Sequence, residues 1–222
     1  MSFAPGTRNR LTTYDLGRFA GETLFDRIGR VVCPVGRLPR KELYEAWEVA
    51  RRVRRLCRGG RVLDVAGGHG LLAHVMLLLD DSSPEALVVD PAPPPSSAAL
   101  CDALVAEWPR LQGRVTFVRD DIGTVPMHAT DLVVSSHACG ALTDTILAAA
   151  VAALAPVAVL PCCHDLAECE AGPLAGWLDG PMAIDATRAM SLAHRGYRVR
   201  TQTIPGAITP KNRLLIGLPP TT

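Results

Sequence analysis

Aromatic residues are scarce in this 222-residue chain, which has three Trp, three Tyr and four Phe. So few rings argue against a single-strand nucleic-acid channel that works by stacking bases on side chains. Lysine is scarcer still: Lys41 and Lys211 are the only two, and the remaining basic charge is arginine. Long apolar runs are missing. The longest, Leu71–Leu79, is broken by His74 and falls far short of the ~20 residues of a membrane span. MSFAPGTRNR at the start has no apolar core of the kind that directs export, so no membrane association is expected. Seven cysteines, odd in number and irregularly spaced, read as reduced thiols and not as a disulfide framework. The expected compartment is the cytoplasm.

Hydrophobic residues make up 48% of the chain, enough for one substantial core with a short appendage. The net charge of +1 hides an asymmetry. Residues 1–61 carry 14 Arg and Lys against 6 Asp and Glu, whereas residues 62–222 carry 9 against 16. A basic arm on an acidic body points to a polyanionic partner. Pairing of the arm's arginines with the body's acids accounts for the same numbers.

Residues 1–38 read as irregular, with Gly and Pro scattered among arginines. Over residues 39–58, Leu43, Ala46, Trp47, Ala50, Val53 and Cys57 recur at helical spacing. Glutamates come early and arginines late, which suits the helix dipole, and Gly59-Gly60 ends the helix. From Arg61 onward strand and helix signals alternate. The runs RVLDVA, ALVVD, RVTFV, DLVVSS and VAVLP are strands. LLAHVMLLL, SSAALCDALVAEW (capped by Ser96 or Ser97) and LTDTILAAAVAAL are helices, and another covers residues 187–195. Continuously apolar strands alternating with helices indicate a parallel sheet covered on both faces. YRVRTQTI and NRLLIGL, close together, form an antiparallel closing pair. The predicted organisation is a basic N-terminal extension, 1–60, followed by an α/β domain, 61–222.

VLDVAGGHG, residues 62–70, runs from the first strand into a bare backbone. Gly67, Gly68 and Gly70 let a ligand approach closely at a strand's carboxyl end, where ligands of such sheets sit. The spacing is D-x-x-G-G-x-G. It lacks the third glycine of the G-x-G-x-x-G dinucleotide loop, which weighs against an NAD oxidoreductase. Asp64 at the strand end suits a cofactor with a cationic amino group better than a pyrophosphate. VVDP places Asp90 at the tip of the second strand, where a carboxylate accepts ribose hydroxyls. FVRDDI places Asp120 and Asp121 beyond the third. Each acid alone also fits a cap or a turn.

VLDVAGGHG, VVDP and FVRDDI resemble the first three motifs of class I S-adenosylmethionine-dependent methyltransferases over residues 61–218. Ala66 stands where the familiar first motif has a glycine. The resemblance implies a Rossmann-like methyltransferase fold: a seven-stranded, mostly parallel sheet with helices on both faces and an antiparallel last strand. It implies S-adenosyl-L-methionine as cofactor, with Asp64, Ala66, Gly67, Gly68, His69 and Gly70 around its methionine part. Asp90 then lies on the ribose, Asp121 and Ile122 at the adenine, and Ser136 at the fourth strand's end.

DLVVSSHACGALTD and VAVLPCCHD carry His137, Cys139, Cys162, Cys163 and His164 beyond the fourth and fifth strands, whose tips face one crevice. H-x-C-G with C-C-H, and the closing ITPKNRLLIG, are similar to a subgroup that includes tRNA ribose 2′-O-methyltransferases and several methyltransferase-like proteins. The N-terminal cysteine/histidine zinc finger of the tRNA enzymes has no counterpart, since only Cys33 and Cys57 precede the fold. Several chemistries fit the cluster. His137 or His164 serves as a general base for a hydroxyl, or Cys162 or Cys163 attacks a pyrimidine. A structural role for small buried thiols and a hydrogen-bonded histidine fits equally. C-C-H-x₄-C lacks the usual C-x₂₋₄-C ligand spacing, so no metal is expected. Asp185 and Arg188, at i,i+3, are expected to pair locally. The predicted activity is methyl transfer to RNA, at a ribose hydroxyl or a base. A small-molecule or protein methyltransferase, or a non-catalytic cofactor- or RNA-binding module, is the alternative.

Overall fold

The apolar runs form the first five strands of one sheet: β1 (Val62–Val65), β2 (Ala86–Val89), β3 (Val115–Val118), β4 (Leu132–Ser135) and β5 (Val157–Val159). Two longer strands, β6 (Arg198–Thr203) and β7 (Arg213–Leu218), complete it in the order β3-β2-β1-β4-β5-β7-β6. The computed structural model describes residues 4–220. β1 to β5 pair parallel, and β7 runs antiparallel to both β5 and β6. The expected seven-stranded, mostly parallel sheet with an antiparallel last strand is what forms.

Successive strand residues face opposite sides, so the central strands serve two cores. Val62, Val88, Val134 and Ile216 join one apolar cluster, while Leu63, Val65, Val133, Val157 and Leu215 join the other. The first face is covered by α3 (Leu71–Leu79) and α4 (Ser97–Glu107), the second by α5 (Leu142–Ala153) and α6 (Gly180–His194). Burial on both faces is why the central strands are continuously apolar. No helix among the described residues is long and apolar enough to cross a membrane.

The N-terminal region is more regular than its composition implies. Leu24–Val35 is a helix, α1, where an irregular segment was expected. Thr23 caps it, its hydroxyl accepting from Asp26 N at 3.2 Å, and Gly36 ends it at φ 66°. Gly29 and Pro34 obscured it. Gly29 is required because the Phe19 ring occupies the space a Cβ would take, and Pro34 falls in the last turn. α2 (Arg40–Val53) closes earlier than the expected residue 58. At the other end α6 starts at Gly180 and not at 187, because Asp179 accepts from Met182 N at 3.0 Å and Pro181 fits the first turn. Ile28 and Val32 of α1 and Leu43, Val49 and Val53 of α2 are buried in the same cluster as α3 and α4.

Most arginines of the basic arm are paired inside the molecule. Arg27 meets Glu107 at 2.7 Å, Arg40 meets Asp15 at 3.0 Å and Arg61 meets Asp131 at 2.7 Å. Arg54, 2% exposed, is the deepest. It reaches Asp80 at 3.1 Å, Ser83 Oγ at 2.8 Å and the Met76 carbonyl at 3.1 Å, pinning the end of α2 to the end of α3. Arg8, Arg10 and Arg37 are exposed and make no ion pair among the described residues. Arg54→Ala is expected to lower the unfolding free energy by about 2 kcal/mol or more, because it removes charge-assisted hydrogen bonds to Ser83 and the Met76 carbonyl and the ion pair with Asp80, which Gly59 N and Ser82 still hold. Arg55→Ala, on the exposed side, should change it by under about 0.5 kcal/mol. Urea unfolding of both variants reads the difference directly.

Candidate active site at the strand ends

The sheet reverses its winding between β1 and β4, and a crevice opens beyond the carboxyl ends at such a switch point. β1 leads into Ala66 at φ 54°, a left-handed conformation seldom adopted by a residue with a side chain. That is why a glycine is the familiar residue here. A Cβ on Gly70 would lie 2.7 Å from Phe117 Cζ, and one on Gly67 only 2.7 Å from Val88 Cγ1. Gly68, at φ 52°, has nothing within 4 Å of that direction and leaves bare backbone against open space.

Asp64 sits under this loop, 1% exposed. Its Oδ2 accepts from Ala73 N in the first turn of α3 at 3.0 Å, while Oδ1 has no partner among the described residues. Burial pushes the carboxyl up to about 7, opposed by the Ala73 N–H and reinforced by the charge of Asp90. Asp90, half-buried at the tip of β2, ties the loop down by accepting from Gly68 N and from Ala92 N, both at 2.9 Å. Beyond β3, Asp120 takes the Asp121 N–H at 2.8 Å, and the exposed Asp121 carboxylate makes no hydrogen bond among the described residues. Ile122 packs beside it against the second core.

His69 is not a free turn residue. Its Nδ1 lies 3.1 Å from Glu42 Oε2 on α2 and its Nε2 lies 3.1 Å from Ser96 Oγ at the start of α4. Ser96 therefore does not cap α4 with its hydroxyl as expected, and neither does Ser97, whose Oγ donates to the Pro94 carbonyl at 2.7 Å. Glu42 is the site residue that sequence reasoning missed. It reads as one of three helix-dipole glutamates, and nothing in its neighbours marks it out. Behind the loop His74 is wholly buried, its Nδ1 2.7 Å from the Gly70 carbonyl, and burial depresses it to about 4.

Beyond β4, Ser136 is buried and His137 is mostly so, both facing the gap between Gly67 and Glu42. Burial holds the His137 imidazole below its ordinary value, with the charge of Glu42 opposing. His137 also lines a larger cavity of about 480 Å³ with Arg8, Lys41, Cys139, Cys163 and Lys211. The ends of β4 and β5 stay in register there: Cys139 and Cys163 form a parallel bridge, and Gly140 N donates to the Cys163 carbonyl at 3.2 Å. Cys139 Sγ lies 3.2 Å from Cys162 Sγ and 3.4 Å from Cys163 Sγ. Burial raises the Cys139 and Cys162 thiols, whereas the hydrogen bond with Cys139 lowers Cys163.

His164 does not join them. Its side chain is 1% exposed, and Nε2 lies 2.8 Å from Asp185 Oδ1. Arg213 Nε donates to Asp185 Oδ2 at 2.7 Å, and Arg188 links Asp185, at 3.4 Å, to Asp144, at 2.7 Å. The expected Asp185–Arg188 pair is present, within a network joining α5, α6 and β7. Convergence of all the strand-end thiols and imidazoles is thereby corrected. The hydrogen bond to Asp185 on α6 holds the His164 ring on the far side of the β5 end from the thiols.

No protein-family model matches the chain, and no curated protein matches its sequence. Solved structures match it in fold. An O-methyltransferase family protein from Burkholderia thailandensis superposes with a TM-score of 0.55 at 19% identity, covering 93% of this chain and 63% of that one. The fold is that of a Rossmann-like methyltransferase. The S-adenosylmethionine-dependent methyltransferase SibL in its apo form gives 0.51 at 21% identity, covering 96% and 66%. Ribosomal protein L11 methylase from Lactobacillus delbrueckii subsp. bulgaricus gives 0.51 at 14% identity, covering 80% and 77%. The chain thus spans about two thirds of the length of the first two structures.

The raised Asp64 carboxyl links stability to pH. Folding favours its protonated form, so this contribution is complete below the ordinary carboxyl value of about 4. It is lost as pH rises through about 7. The Tm of the wild type minus that of Asp64→Asn should therefore fall between about pH 4 and about pH 7 and level off above that. A flat difference would refute the assignment.

Proposed function

We propose that the protein transfers a methyl group from S-adenosylmethionine to RNA. One observation carries the reading: Asp64, Asp90 and Asp121 stand at the carboxyl ends of three adjacent strands, β1, β2 and β3, around a loop stripped of side chains. The donor set fits the cofactor. Asp64 offers a buried carboxylate oxygen without a partner, close to where a cationic amino group would lie against the Gly67–Gly68 backbone. Each Asp90 oxygen accepts a single backbone bond and keeps a lone pair for a ribose hydroxyl. Asp121 has its carboxylate free for an adenine amino group, with Ile122 beside it for the ring.

When bound, the sulfonium supplies an already reactive methyl donor, so positioning of the acceptor does most of the catalytic work. On this reading His137, the polar ring at the β4 end of the crevice, hydrogen-bonds the incoming ribose hydroxyl. His164 is committed to Asp185 and serves the framework.

RNA is favoured by the charges left over after internal pairing. Arg8, Arg10, Arg37 and Lys211 line cavities on this side of the molecule, and none forms an ion pair among the described residues. Side chains of this kind suit a phosphate backbone. The named acceptors of the similar structures differ, so the acceptor class rests on this chain's own residues. The cavity of about 480 Å³ favours a second reading, a small-molecule acceptor, because it is of ligand-binding size.

Calorimetric titration with S-adenosylhomocysteine should show binding, weakened more than about tenfold by Asp90→Ala, because hydrogen bonds to charged groups contribute about 1.5–3 kcal/mol. Labelled S-adenosylmethionine with bulk tRNA and rRNA should yield a ribose-methylated nucleoside on digestion. His137→Ala should lower that yield without changing cofactor affinity. The double variant Arg10→Ala/Arg37→Ala should weaken RNA binding and flatten its salt dependence. Tight cofactor binding with no label in RNA would overturn the RNA assignment in favour of the small molecule.

A further inference from the structure

Cys139, Cys162 and Cys163 come from two strand ends and meet in space. The third sulfur–sulfur distance, Cys162 to Cys163, is 3.8 Å, so the three lie 3.2, 3.4 and 3.8 Å apart. We propose that these three cysteines form a thiolate site for a soft divalent cation, zinc by its chemistry, with a fourth position open to the cavity that holds Lys41 and Lys211.

Zinc–thiolate bonds are about 2.3 Å long, which places the sulfurs of a tetrahedral site about 3.8 Å apart. One edge of the triangle already has that length, and the other two need to open by about half an ångström to admit the ion. Its position is set by the sheet, because the Cys139–Cys163 bridge and the Gly140 N–H to Cys163 carbonyl bond continue the β4–β5 pairing past the strand ends. A disulfide would engage two of the sulfurs and exclude the third. A metal ion takes all three.

The ligand count indicates an exchangeable site. His164 is held by Asp185, and the Cys169 sulfur accepts from Arg188 at 3.5 Å, so neither neighbour supplies a fourth ligand. Three protein ligands with an open position are the arrangement of a zinc site that binds a water or a substrate atom. Three thiolates on a dication leave one net negative charge. Lys41 is paired with Glu45 at 3.2 Å, and Arg8 and Lys211, which line the same cavity, offset that charge. The usual ligand spacing is absent from the sequence because the ligands are 23 and 24 residues apart and meet only through the parallel pairing of β4 and β5. None of this depends on methyl transfer.

The test uses reduced, chelator-treated full-length protein titrated with Co²⁺ and then Zn²⁺. One equivalent of Co²⁺ should produce sulfur-to-metal charge transfer in the near ultraviolet and intense tetrahedral bands in the visible, both removed by Zn²⁺. Zinc should also protect three of the seven cysteines from a thiol reagent. The Cys139→Ser/Cys163→Ser variant should lose both signals, and Cys101→Ser should keep them. Weak octahedral bands, equal reactivity of all exposed thiols with and without zinc, or a spectrum undiminished in the double variant would overturn the site. Should the double variant fail to fold, the thiol count on the wild type decides.

Discussion

Parallel pairing of β1 with β2 on one side and β4 on the other is the constraint from which the rest follows. Parallel strands must all begin at one edge of the sheet and end at the other, so every loop after β1, β2, β3, β4 and β5 emerges on one side. Residues far apart in the chain become neighbours there without any direct attraction. Asp64, Asp90 and Asp121 would repel one another if fully charged and desolvated. The site tolerates them because Asp90 is held by backbone N–H groups, Asp121 is solvated and Asp64 is pushed towards its neutral form. A cation arriving beside Asp64 would reverse that balance.

The N-terminal helices complete the crevice. α2 packs its apolar stripe into the core around α3, and its first turn then falls over the glycine loop, where Glu42 meets His69. His69 in turn holds Ser96, so one ring ties together α2, the loop and the start of α4. Internal pairing engages most of the arm's arginines, because Asp15, Asp80, Glu107 and Asp131 each lie against at least one of those side chains. What remains for an external anion is a few residues at the crevice, a smaller surface than the overall count implies.

At the far side of the crevice the imidazoles and thiols divide by function of place. His137 faces open volume, the three thiols cluster beside it, and His164 is enclosed with Asp185, Arg188 and Arg213. That buried network sets the β5 end against α6 and β7. Removing a member would disturb the thiols through the backbone, so activity loss at His164 is no evidence of contact with substrate.

Period and composition alone were enough for the strands, the order of helices after Arg61, the glycine loop and the acids at the strand tips. Those features are local: apolar runs bury on both faces, and glycine is needed where φ is positive or a neighbour crowds the Cβ. Helix α1 was illegible because its Gly29 and Pro34 are justified only by Phe19 and by the end of the turn. The early start of α6 hid behind a Gly-Pro pair that reads as a loop until Asp179 is seen to cap it. Glu42 at the site, the withdrawal of His164 to Asp185 and the meeting of Cys139 with Cys162 and Cys163 were decided by tertiary structure. Each depends on which way a side chain leaves its strand end or helix turn, and on what another element, tens of residues away, places opposite it.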